Sequence, residues 1–145
     1  MTNKESEVRK LAQLFINMRS VFKHIAQKNS NLNIFSVAQI ETLCFVKSNG
    51  SPTMKDVSEY LNISPPSATS IIEPLVKKHE LKRITAPRDR RIVQVEITPK
   101  GEKKLEESIK NMTTQLEKVL DVLSEKEIKQ FSLILEKMSH VEYEK

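Results

Sequence analysis

Apolar residues recur at spacings of three and four through almost the whole chain, and in one short stretch only does the spacing fall to two. The wider spacing lines one face of an α-helix, and the narrower one lines one face of a strand. A chain patterned this way is mainly α with a small β-hairpin. The glycines agree: Gly50 and Gly101 are the only two in 145 residues, too few for the tight turns of a sheet-rich fold. The length suits a single domain over 1–145, with enough chain to bury a core.

The first helix spans about Glu5–Gln27, with Val8, Leu11, Leu14, Phe15, Met18, Val21, Phe22 and Ile25 on one stripe. A polar break, Lys28 to Asn31, follows. A second helix starts at Ser36, which forms a capping box with Gln39, buries Val37, Ile40, Leu43 and Cys44, and stops at Asn49-Gly50. A short third helix follows its N-cap Thr53 and sets Met54, Val57 and Leu61 on one face. Asn62-Ile63-Ser64 breaks the pattern. Ser64 then caps a fourth helix with Pro65 in its first position, and Ala68, Ile71, Ile72, Leu75 and Val76 form its apolar side. Val93, Val95 and Ile97 alternate with polar residues as a strand, and Lys82–Ala86 is its weaker partner. Between the two lies a five-residue tip, Pro87-Arg88-Asp89-Arg90-Arg91. Thr98-Pro99 opens a fifth helix, on which Leu105, Ile109, Met112, Leu116, Val119 and Leu123 step by four and three. Ser124 and Glu127 box the start of a sixth, whose stripe is Ile128, Phe131, Ile134, Leu135, Met138 and Val141.

Charge is as unevenly placed as the strands. The chain is +5 overall, yet Lys77 to Lys104 holds ten basic and four acidic residues, so the remainder is slightly acidic. A localised basic stripe is the footprint of a polyanionic partner. The lone Cys44 rules out an internal disulfide. The first ten residues are polar, and no run approaches the roughly 18 apolar residues of a membrane span, so a soluble, cytoplasmic protein without a membrane partner is expected. No nucleophile elbow, phosphate-binding glycine loop or spaced acid–base pair is present, which argues against an enzyme. His24, His79 and His140 are too scattered to bind metal, and no cofactor is expected.

Between Thr53 and Gly101 the elements read as a helix-turn-helix followed by a wing. In that arrangement the second helix lays its N-terminal residues against base edges in the major groove of double-stranded DNA. Here those turns carry Ser64, Pro65, Pro66, Ser67, Thr69 and Ser70, small and mostly hydroxylated. Arg88, Arg90 and Arg91 on the hairpin suit the narrow minor groove. Lys55, Lys77, Lys78 and Lys100 are placed to meet phosphates, and Thr53 is a further DNA-contact candidate. The fold expected is therefore a winged helix-turn-helix over 36–98, flanked by N- and C-terminal dimerisation helices over 5–27 and 99–142.

The same residues carry a resemblance. Leu75-Val76-Lys77-Lys78, Leu81, Arg83, Pro87-Arg88-Asp89-Arg90-Arg91 and Ile97-Thr98-Pro99-Lys100-Gly101 together resemble the MarR family of bacterial regulators. The match is specific over about Leu61 to Leu105; helix order extends it across the chain. The resemblance implies a homodimer in which the first, fifth and sixth helices interlock, through Leu11, Phe15, Leu116, Leu123, Ile128, Phe131 and Leu135. Two winged parts would then straddle a pseudo-palindromic operator. It also implies that Asp89 holds the wing through an ion pair with a neighbouring arginine, and that Arg91 or another wing arginine reaches the minor groove. A small-molecule effector would occupy a cleft for which Met18, Phe22, Cys44, Phe45 and Met112 are candidates. The function so implied is a ligand-responsive repressor.

The chain departs from that family's pattern in places. His79 stands where a glycine usually ends the recognition helix, and Glu80 takes the apolar position after it. Pro74 lies mid-helix and removes the bond to Ser70, so a kink is expected. Ser70 replaces a long basic residue. These departures leave room for the other reading, a winged-helix module that binds protein or RNA and no operator. Cys44 reads as a structural core residue, because no basic neighbour in sequence lowers its pKa.

Overall fold

The computed structural model describes residues 2–28 and 34–141. Its elements run α1 (Asn3–Lys28), α2 (Ile34–Asn49), α3 (Met54–Tyr60), α4 (Pro65–Lys77), β1 (Leu81–Ala86), β2 (Asp89–Ile97), α5 (Pro99–Leu120) and α6 (Glu125–Ser139). The order is the expected one, mostly helical with one antiparallel hairpin. The chain divides into two compact units, Met1–Ser108 and Ile109–Lys145.

In the first unit the core is built from Leu43, Val46, Val57, Ile72, Leu75, Leu81, Val95 and Leu105. These residues come from α2, α3, α4, both strands and the start of α5, so one apolar cluster holds the helix-turn-helix and the hairpin together. Burying such side chains stabilises by about 1.5–3 kcal/mol each. Along α1 every residue from Asn3 to His24 is exposed, including the apolar stripe from Val8 to Phe22, with Phe15 at 61%.

The second unit holds the rest of α5 and all of α6. Ser124 caps α6, accepting from the Glu127 amide, while the Glu127 carboxylate accepts from the Ser124 amide at 2.8 Å. No residue of α6 is buried, and Phe131, Ile134, Leu135 and Met138 lie open.

Several boundaries differ from those expected. α2 is under way at Ile34, so Ser36 sits in its first turn and does not cap it; Ile34 and Phe35 extend the helix two residues further back. α5 ends at Leu120, and Leu123 falls in the following turn, where its amide bonds to the Leu120 carbonyl. The heptad-like seam therefore closes at Val119, and Leu123 lies beyond the end of the helix. Ser124 and Glu127 set this limit, since their capping box starts a new helix and forces the chain out of the old one. Asn29–Asn31 of the polar break lies outside the described residues.

Among the described residues no helix is long and apolar enough to cross a membrane.

Candidate nucleic-acid interface

The helix-turn-helix is fixed by its caps. At the start of α3 the Thr53 hydroxyl accepts from the Asp56 amide at 3.0 Å, and Asp56 accepts from the Thr53 amide at 2.8 Å. α3 then ends in a Schellman motif: the Asn62 amide donates to Glu59 and the Ile63 amide to Ser58, with Asn62 at φ 51°. Asparagine tolerates this left-handed backbone better than most side chains. Two residues on, the Ser64 hydroxyl accepts from the Ser67 amide and α4 begins with Pro65-Pro66 in positions that need no donor.

α4 turns Ala68, Ile71, Ile72 and Leu75 inward and leaves Pro65, Pro66, Ser67, Thr69 and Ser70 in solvent, as the sequence indicated. Two of those hydroxyls bond back along the helix. Thr69 Oγ1 donates to the Pro65 carbonyl and Ser70 Oγ to the Pro66 carbonyl, both at 3.1 Å. The helix continues through Pro74 to Lys77. It ends in a second Schellman motif, in which the Glu80 amide reaches Leu75 at 2.8 Å and the His79 amide reaches Val76 at 3.0 Å. His79 takes φ 59° at the position where glycine is the usual choice.

The wing follows at once. β1 and β2 pair from Leu81↔Ile97 to Thr85↔Val93, and then the register jumps so that Ala86 faces Asp89. The turn is thus two residues, Pro87 and Arg88, and Arg90–Ile92 form an irregular bulge on β2. This corrects the five-residue tip: of the three arginines only Arg88 sits in the turn. Asp89 causes the change. Its carboxylate accepts from the Arg91 amide at 3.0 Å and from the Arg91 guanidinium at 3.1 and 3.2 Å, folding the chain back on itself. Those Arg91 bonds hold the Asp89 carboxyl below its usual range. The ion pair implied by the family resemblance is therefore present, and it engages Arg91. Among the described residues no ion pair is recorded for Arg88 or Arg90.

Two features escaped the sequence reading. Residues 51–53 run alongside β2: the Val95 amide donates to Pro52, the Gln94 side chain donates to Ser51, and Thr53 bridges Gln94. Pro52 and the short span hide this third edge from any strand pattern. Arg83 on β1 also pairs with Glu73 on α4 at 2.7 Å, tying wing to recognition helix. Lys82 pairs across the hairpin with Glu96 at 2.8 Å; this bond and a second from Ser51 lower the Glu96 pKa.

The other candidates fall as follows. Lys55, Lys77 and Lys100 are exposed, whereas the Thr53 hydroxyl is taken up by its cap. Cys44 and Phe45 pack against the first unit's core, and Phe45 stacks on Tyr60 at 4.1 Å. Burial, with Glu41 and Cys44 beside it, holds the Tyr60 phenol above its usual pKa. Met18 and Phe22 lie on the exposed stripe of α1, and Met112 belongs to the second unit.

Comparison with known proteins gives a consistent answer. Residues 35–93 match the model of the MarR family. The HTH-type transcriptional repressor MdtR of Bacillus subtilis is 26% identical over 102 residues, which is 70% of this chain and 66%, just under two thirds, of that protein. An uncharacterized HTH-type transcriptional regulator of the same organism, YsmB, is 26% identical over 143 residues, 97% of each chain. Among solved structures, a mutant MarR from E. coli complexed with operator DNA superposes with TM-score 0.68 at 18% identity, over 94% of this chain and 99% of that one. The winged core, the Asp89–Arg91 motif and the matched span agree: over residues 35–93 this chain is similar to the MarR family of transcriptional regulators.

Proposed function

We propose that this protein is a sequence-specific DNA-binding transcriptional regulator that acts as a homodimer on a pseudo-palindromic operator. The observation that carries the reading is the pairing, in one rigid core, of a solvent-facing recognition helix with an arginine-bearing wing. Arg88 and Arg90 extend from the hairpin while Glu73–Arg83 locks it to α4. The concentration of positive charge between Lys77 and Lys104 supports it. So does the operator-bound neighbour of the same fold.

The homodimer is supported by apolar surface without cover. Leu11 and Phe15 on α1, and Leu116, Phe131 and Leu135 on α5 and α6, are all exposed. Monomeric proteins rarely leave long apolar stripes in water. A two-fold dimer also sets the half-site spacing that an operator requires. Repression and its release by a small molecule are the further parts of the proposal; a relative named as a repressor supports the first.

The test is binding of the purified chain to genomic duplex fragments across a salt series, beside sedimentation to find its mass. Enrichment of an inverted repeat, lost when Arg88 and Arg90 become alanine and weakening steeply with salt, is the expected result. No enriched duplex at low salt refutes the proposal and turns attention to a protein or RNA partner.

A further inference from the structure

Resting on the DNA-binding reading, we infer that α4 reads thymine methyls and base amino groups and makes no contact that requires guanine. From Ser64 to Ile72 the helix carries no charged side chain. The first charge, Glu73, is engaged by Arg83 at 2.7 Å, which also takes up the arginine nearest the helix. Guanine is distinguished in the major groove by two acceptors, O6 and N7, which call for a donor, most often arginine or lysine. The exposed first turns of α4, from Ser64 to Ser70, offer none of that kind.

What they offer instead is defined by the hydrogen bonds. A serine or threonine hydroxyl has one hydrogen to donate and two lone pairs to accept with. Thr69 and Ser70 spend their hydrogen on the Pro65 and Pro66 carbonyls. Their oxygens are left as acceptors, suited to the amino groups of adenine N6 and cytosine N4. Around them lie apolar contacts, namely the rings of Pro65 and Pro66 and the Thr69 methyl, all exposed. Apolar atoms in the major groove discriminate through the C5 methyl of thymine. The methyl contacts favour A·T pairs in the half-site read by this helix, while the hydroxyl acceptors admit adenine or cytosine. An arginine wing prefers the same composition, since A-tracts narrow the minor groove.

The experiment selects duplexes from a random pool with the full-length protein at low salt, then edits the selected half-sites one base at a time. Replacing dT by deoxyuridine removes the methyl alone and is expected to weaken binding about fourfold per contacted position. Replacing dG by 7-deaza-dG removes N7 alone and is expected to change affinity less than about twofold, because no arginine or lysine stands on the first turns of α4 to reach it. Ser70→Arg, at an exposed position, adds a donor; its reselected sites should gain a dG whose 7-deaza form weakens binding roughly tenfold. Helicity by circular dichroism confirms that the variant is folded. A wild-type site that depends on dG and loses roughly tenfold with 7-deaza-dG, or one indifferent to deoxyuridine, overturns the inference while leaving DNA binding intact. Failure to select any duplex overturns both.

Discussion

Gly101 stands in the first turn of α5, and the space above its Cα is already full. A Cβ built there would lie 2.0 Å from the Glu80 carbonyl oxygen and 2.8 Å from Ile97 Cγ1. The Glu80 oxygen is main chain and cannot swing aside. It must retreat by about 1.4 Å before ordinary contact is restored, and it is held where it is. It accepts from the Thr98 amide at 3.1 Å and the Thr98 hydroxyl at 3.2 Å, while that hydroxyl also meets His79 and caps Gly101. Displacing the carbonyl weakens two bonds worth about 1 kcal/mol each, and crowding Ile97 adds about 1–3 kcal/mol. Against this, alanine gains about 1 kcal/mol over glycine in a helix. Gly101→Ala is expected to destabilise the protein by roughly 2–4 kcal/mol net, on the balance of those costs. Urea unfolding at fixed protein concentration, held fixed because association shifts apparent stability, should show a midpoint lower by about 1–2 M. A loss under about 1 kcal/mol would mean that the β1–α5 junction is not as tightly locked as its bonds indicate.

At the other end of that junction, His79→Gly relieves a left-handed backbone and should raise stability by about 0.5–1 kcal/mol, while His79→Ala should not; thermal melts that show glycine no better than alanine refute this. Asp89→Asn should loosen the wing while leaving the unfolding midpoint unchanged. Weaker DNA binding with normal stability is the expected pairing, and an unaltered affinity counts against it. Because the Asp89 carboxyl titrates below its usual range, the wing's ion pair is fully present above the ordinary carboxylate pKa and is lost as pH falls through the lower folded value. Protection of the Arg91 amide should therefore persist as pH falls through the ordinary carboxylate range and be lost only below it. Ser124→Ala should cost about 1 kcal/mol, the usual worth of an N-cap, measured again by urea midpoint. Lys77→Ala or Lys100→Ala should each lower the salt dependence of DNA affinity by about one unit of slope without changing the selected sequence.

Much of this architecture was legible because caps are written in local residue types. Thr53, Ser64, Thr98 and Ser124 each begin a helix where the sequence puts them. Ser36 has the same local signature and fails, since two apolar residues before it carry the helix further back. The arginine-rich hairpin was visible; its true shape was not. Asp89 turning back on Arg91 is a side-chain choice that moves the turn to Pro87-Arg88 and bulges the strand, and no alternation of apolar residues encodes it. Likewise the Glu73–Arg83 pair spans ten residues of sequence that pattern reading treats as separate elements. Contacts of this kind decide which arginines remain to meet a partner.

The recognition helix itself shows which forces prevail. Locally it is a poor helix: Pro74 costs about 3 kcal/mol in an interior position. Asn62 and His79, the two non-glycine residues that bracket it, hold left-handed angles costing about 1–2 kcal/mol for an ordinary side chain. Yet α4 continues unbroken through Pro74 to Lys77. Ile72 and Leu75, on either side of Pro74, are all but fully buried, and Ala68 and Ile71 lie with them. At about 1.5–3 kcal/mol for each large apolar side chain, their burial is large enough to offset the local penalties. Propensity therefore does not make this helix; the core beneath it does. It follows that the expected kink at Pro74 cannot be inferred from the proline alone, because the residues flanking it are held by packing on both sides. It also follows that the exposed face is free to be chosen for what it touches. Prolines, serines and threonine, which would weaken an isolated helix, are tolerated here because the buried face already fixes the backbone.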